Sequence, residues 1–101
     1  MDKNIKISML LELYGKLLTE KQFDVTDLYY NQNLSLSEIA DELDVTRQAI
    51  RKSLLEAEKN LCEFESKLGL LVKTFQRQEK IENIVSKLKD KELIKLIEEL
   101  R

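Results

Sequence analysis

Residues 34–55 read LSLSEIADELDVTRQAIRKSLL, and this stretch predicts a helix-turn-helix. A short first helix is expected from about Leu36 to Glu42, a turn at Leu43-Asp44-Val45, and a second helix after Thr46. Both helix starts are marked. Ser35-Leu36-Ser37-Glu38 fits S-x-x-E, the capping box in which hydroxyl and carboxylate satisfy orphan backbone N–H groups. Thr46 is a candidate N-cap for the second helix, without the Glu three residues on. Ile39, Ala40 and Leu43 share one face of the first helix. Val45 fills the turn, and Ile50 and Leu54 share one face of the second helix. Ala40 suits a steep helix crossing, where closely approaching backbones need a small residue.

The second helix is the candidate reader of nucleic acid. Arg47, Gln48, Arg51 and Lys52 point away from the Ile50/Leu54 face. In this motif the N-terminal half of the recognition helix enters the major groove. Arg can bridge guanine O6 and N7, and Gln can pair with adenine N6 and N7. Thr46, or the helix N-terminus itself, can hold a phosphate. The plainer reading is that Arg47, Arg51 and Lys52 form an ordinary solvated face.

Bulk composition sets the frame around the motif. A chain of 101 residues, with two Gly and no Pro and rich in Leu, Ile, Lys and Glu, is expected to be all-α. It can form one domain, or one domain with a helical extension. Residues 1–61 are assigned to a helix-turn-helix DNA-binding domain. Residues 62–101 are assigned to a C-terminal helical extension that either dimerises or packs back on the core. No apolar run is long enough for a membrane span and no signal peptide is read, so a cytoplasmic protein is expected. The single Cys, Cys62, allows no internal disulfide and is expected to be a partly buried structural residue. Net charge is −2, which weighs against strong non-specific nucleic-acid binding. The charge is unevenly spread, however. Residues 34–45 carry four acids and no base, whereas residues 46–60 carry four bases and two acids. Positive charge is concentrated where a recognition helix would place it, and a homodimer would set two such patches side by side.

Outside the motif, a helix is expected from about Asn4 to Leu18, with Ile7, Leu10, Leu11, Tyr14, Leu17 and Leu18 as a broad apolar stripe. Gly15 within it suggests a close crossing. Thr19-Glu20-Lys21-Gln22 is a second capping box, opening a helix to about Tyr30 that buries Phe23 or Val25, Leu28 and Tyr29. Tyr14, Tyr29 and Tyr30 at helical spacing are read as packing residues rather than a base-stacking surface. Beyond the motif, Ile50, Leu54, Ala57, Leu61, Phe64, Leu68, Leu71 and Phe75 alternate steps of four and three. This is a 3.5-residue period, the mark of helices packed along a seam. Leu55 and Cys62 widen the stripe. The seam serves either a dimer or the chain's own N-terminal helices, and Gly69 marks a break. An amphipathic stretch from Val72 to Leu88 follows, with Ile81, Ile84, Val85 and Leu88 on one face. Asp90 then reads as the N-cap of a last helix, Lys91 to Leu100.

The chemistry of most enzymes is missing. There is no His, the commonest general base and metal ligand. No Cys cluster could hold zinc, and Gly15 and Gly69 stand alone, so no Gly-rich phosphate loop exists. The reading is of a protein that is not an enzyme and holds no cofactor or metal.

Two resemblances extend these readings. Residues 19–61 resemble DNA-binding region 4 of bacterial sigma-70-type factors, through the opening T-E-K-Q, the centre L-S-x-x-E-I-A and the exit V-T-R-Q-A-I-R. That resemblance implies promoter reading by the last helix, through Thr46, Arg47, Gln48, Arg51 and Lys52. It also implies a sigma region 4-like bundle of the winged-helix-like superfamily. The other sigma regions have no counterpart in this chain, which disfavours a stand-alone sigma factor. The whole chain is more similar still to the YlxM family of helix-turn-helix proteins. The matching segments are Leu10 to Gln22, Leu28 to Tyr30, Ser35 to Ala40 and Val45 to Ile50. Genes of that family commonly sit beside those of the signal recognition particle GTPase and its receptor. The resemblance therefore implies a regulatory role in that pathway. It also allows a different class of function, a helical adaptor that leaves DNA alone and contacts the particle's GTPase or its RNA. Many helix-turn-helix turns have Gly where this chain has Asp44, because the turn favours positive φ. Asp tolerates that region better than most residues.

Overall fold

The computed structural model describes residues 1–100. Its helices are α1 (Lys3–Tyr14), α2 (Glu20–Tyr30), α3 (Leu36–Leu43), α4 (Arg47–Leu68) and α5 (Leu70–Glu99), with a 3-10 turn at Gly15–Leu17. The chain divides into two compact units, Met1–Leu71 and the remainder of α5 from Val72. The all-α expectation, the helix-turn-helix at its centre and the long C-terminal helical extension are all present.

Local capping chemistry explains most of the boundaries. Asp2 Oδ1 accepts from the Asn4 N–H at 2.8 Å and starts α1. At the start of α2, Gln22 donates its N–H to Thr19 Oγ1, and Thr19 donates its own to Gln22 Oε1. This is the expected capping box, with both orphan donors satisfied. α1 is shorter than the apolar pattern predicts. It stops at Tyr14, the 3-10 turn follows, and Leu18 is extended. The turn brings Gly15 against α2, where a Cβ would stand 2.7 Å from Phe23 Cε2. Leu18 is buried, whereas Leu17 lies outside the stripe at 59% exposure.

Two apolar clusters form the core of the first unit. Ile7, Leu10, Leu11 and Tyr14 of α1 pack with Leu18, Ala57, Leu61 and Leu71. Val25 of α2, Ile39 and Ala40 of α3, and Ile50 and Leu54 of α4 form the other. Half-buried Tyr30 borders both clusters. The first half of the 3.5-residue seam is thus spent inside the chain. Further along it lapses, because α4 ends at Gly69, which adopts the left-handed conformation (φ 62°). Leu68 and Phe75 are exposed. Leu55 and Cys62 do not widen the stripe. Both are exposed, because the face of α4 turned to α1 and α3 is too narrow to cover them.

The junction between α4 and α5 is held by a side chain from the other end of the unit. Tyr14 Oη donates to Glu65 Oε1 at 2.8 Å and accepts from the Leu70 N–H at 3.0 Å. Glu65 Oε1 also accepts from the Leu71 N–H at 2.8 Å. The carboxylate therefore caps the start of α5, whose first N–H groups have no intrahelical partner. Gly69 N–H closes α4 on Glu65 O at 2.8 Å. A second phenol, Tyr30, donates to Glu58 Oε1, and Glu58 Oε2 lies 3.6 Å from Lys3 Nζ.

Burial raises both phenols above the ordinary tyrosine value of 10.0, and their hydrogen bonds to Glu65 and Glu58 raise them further. The unfolded chain therefore loses these protons first. Their stabilisation is complete below pH 10 and declines as pH rises from there towards the folded-state values. A Tyr14→Phe/Tyr30→Phe variant is expected to show a shallower alkaline fall in denaturant midpoint than the parent. Equal slopes above pH 10 would exclude this linkage.

α5 is one helix, not two. Asp90 lies within it rather than capping a last helix. No Gly or Pro occurs between residues 70 and 100, and the run around Asp90 consists mostly of Lys, Glu and Leu, all good helix formers. A shift in the phase of the apolar residues does not interrupt backbone hydrogen bonding. No helix among the described residues is long and apolar enough to cross a membrane.

Candidate nucleic-acid interface

The site is built from α3, its turn and the first turns of α4. Ser35 and Glu38 form the expected capping box, each donating its N–H to the other's side-chain oxygen at 3.1 Å. α3 then runs for eight residues and ends at Asp44, which adopts the left-handed conformation (φ 54°, ψ 49°). The Val45 N–H bonds to Ala40 O at 3.0 Å and the Asp44 N–H to Asp41 O at 3.4 Å. This pair of bonds is a Schellman closure, usually made with Gly at the left-handed position. Asp replaces Gly here at a modest conformational cost.

Thr46 restarts the chain as a helix. Its Oγ1 accepts from the Ala49 N–H at 3.1 Å. The two helices are locked together by Ile39, Ala40, Ile50 and Leu54, all buried. Ala40 sits at the crossing, as its size suggested. Leu43 and Val45 are less well covered than the periodicity implied, at 37% and 38% exposure. They line an open cleft with Thr19, Lys21 and Asp24.

The five residues singled out from sequence lie on one accessible end of α4. Thr46, Arg47, Gln48, Arg51 and Lys52 are all exposed, while Ala49 is half-buried and Ile50 is buried. Among the described residues, Arg47, Gln48, Arg51 and Lys52 make no hydrogen bond or ion pair through their side chains. Their donors are open to an outside acceptor. The positive end of a 22-residue helix lies beside them.

A family model described as "Putative helix-turn-helix protein, YlxM / p13 like" matches residues 1–100. The chain belongs to this family. Relatives named "UPF0122 protein" include one from Clostridium botulinum, 45% identical over 91 residues, covering 90% of this chain and 84% of the relative. One from Clostridium acetobutylicum is 41% identical over 108 residues, covering 99% and 92%. One from Desulforamulus reducens is 43% identical over 81 residues, covering 80% and 69%.

In this helix-turn-helix family member, the fold adds one residue that sequence reasoning passed over. Lys21, in the first turn of α2, lines a shallow groove with Lys52, Gln22, Ala49 and Glu56. The T-E-K-Q box was legible as a cap, but its Lys could be assigned to the site only once α2 and α4 were seen side by side. The opposite charge lies on α3. Glu38, Asp41, Glu42 and Asp44 are all exposed, so the motif has an acidic first helix and a basic second one.

Proposed function

We propose that this chain is a DNA-binding regulatory protein that reads duplex DNA with the N-terminal half of α4 and acts in the cytoplasm. The observation that carries this reading is the set of exposed, unpaired donors on Arg47, Gln48, Arg51 and Lys52 at the start of a rigidly seated helix. The arginines and Gln48 face base edges in the major groove, and Thr46 and the helix N-terminus meet the phosphates. Lys52 and Lys21 contribute backbone contacts. With few cations and a net charge of −2, non-specific binding is weak at any salt concentration, and its salt slope is shallow because few phosphates are neutralised. In this reading residues 1–61 carry DNA binding, and residues 62–101 bring two copies together.

A second reading follows from the acids of α3. In helix-turn-helix proteins the first helix crosses the DNA backbone, and four exposed acids there oppose phosphate. This favours an adaptor that contacts protein, and of the two contacts the family resemblance allows, the signal recognition particle GTPase and its RNA, it favours the GTPase. One experiment separates the two. The purified chain is used to select from random duplex DNA at low and near-physiological salt. An enriched motif that persists at the higher salt supports the first reading. No enrichment, together with co-elution with the purified particle, sinks it in favour of the second.

A further inference from the structure

α5 is 30 residues long, about 45 Å at 1.5 Å per residue. Ile81, Ile84, Val85 and Leu88 follow one another at helical spacing on one face, and they are 42–59% exposed. This line sits at the middle of α5, whose midpoint falls between Ile84 and Val85. Contiguous apolar surface of this kind marks an interaction site.

The charges of α5 say what covers it. Residues 72–89 carry five Lys or Arg and two Glu, a net of +3, whereas residues 90–99 carry two Lys and four acids, a net of −2. The first turn has no acid and the last turn no base. This is the reverse of what the helix macrodipole favours, so the distribution does not serve an isolated helix. An antiparallel neighbour of the same sequence corrects both ends at once.

We propose that α5 is a self-association surface on which a second copy of this chain lies antiparallel, centred on Ile81, Ile84, Val85 and Leu88. Full overlap places the two apolar lines face to face. It also sets residues 90–99 of each helix, with a net charge of −2, against residues 70–79 of the other, with a net charge of +1. Arg77 and Glu92 are equally far from the midpoint and border the apolar line on either side, roughly 30° from it at about 100° per residue. Antiparallel overlap therefore pairs Arg77 of one copy with Glu92 of the second copy. Parallel overlap would stack like charges. A further apolar line, Leu93, Ile97 and Leu100, lies roughly 140° around the helix and takes no part in this seam. The inference rests on the two-copy assembly included in the reading above, and not on DNA binding.

The test is sedimentation equilibrium of the full chain without DNA. The parent is expected to be a dimer. Ile84→Glu, with helix content checked by circular dichroism, should raise the dimer dissociation constant at least about tenfold, because a charge is then buried in the seam. Arg77→Glu should weaken the dimer, and Glu92→Lys in the same chain should restore it. A monomer at every concentration would overturn the proposal, since the face is then covered within the chain or by another protein. A dimer insensitive to Ile84→Glu, or one that Glu92→Lys fails to rescue, would overturn it equally. Because DNA is absent, failure here is separate from failure of the duplex selection.

Discussion

Arg47→Ala and Arg51→Ala are each expected to weaken binding to a selected duplex by about 1–3 kcal/mol, or about 5- to 150-fold. The size follows from geometry rather than from charge. A guanidinium that bridges two acceptors on one guanine loses both bonds on truncation, and the base edge is left without its partner. The loss should be specific to sequence. Arg47→Ala and Arg51→Ala should each relax the preference at one position of the selected site while barely changing affinity for random duplex. Lys52→Ala should behave differently, weakening all sequences alike and lowering the salt slope by about one. Thermal stability should change little in all three, since exposed side chains without partners contribute within about 0.5 kcal/mol. The two arginines are one helical turn apart, so the double variant need not show the sum of the single effects. Parental affinity in both single variants would end the proposal that α4 reads bases.

Glu65→Ala should be the most damaging polar substitution, at about 2–4 kcal/mol by chemical denaturation. Three groups depend on this carboxylate. The Tyr14 hydroxyl and the Leu71 N–H both donate to Oε1, and the Leu70 N–H reaches it through the Tyr14 oxygen. Tyr14 is 1% exposed, so its hydroxyl has little water to turn to when the acceptor is removed. Glu65→Gln retains an oxygen at the same distance and should recover most of the loss. If Gln proves as costly as Ala, the charge acting on the N-terminus of α5 outweighs the hydrogen bonds. If neither variant is destabilised, the junction is not a structural element at all.

Short-range chemistry was largely legible from sequence, and long-range chemistry was not. Ser35/Glu38 and Thr19/Gln22 are recognisable because each capping box is complete within four residues. Asp44 could be placed at positive φ because only a few residue types tolerate it. The exposure of Thr46, Arg47, Gln48, Arg51 and Lys52 was legible because it follows from the opposite, apolar face. The Tyr14–Glu65 contact joins residues 51 apart, and no local pattern signals it. Lys21 was missed for the same reason. Other departures come from using apolar periodicity as a ruler. The pattern carried α1 on to Leu18, whereas the chain tightens into a 3-10 turn at Gly15, where Phe23 leaves no room for a Cβ. Leu55 and Cys62 looked like stripe residues because periodicity gives a direction but no width. The apparent break at Asp90 was a change of apolar phase in an uninterrupted helix.

The position of α4 in both apolar clusters has a consequence for how the first unit comes apart. Ile50 and Leu54 belong to the cluster around α3, and Ala57 and Leu61 to the cluster around α1, yet all four lie on one 22-residue helix. Loss of either cluster strips the support from half of that helix. A short stretch left without packing is marginal in water, so fraying would pass along α4 into the other cluster. The eight residues of α3 cannot persist alone on the same grounds. Residues 1–71 therefore lose their structure in one cooperative step, with no partly folded species that keeps the recognition end of α4 while α1 is released.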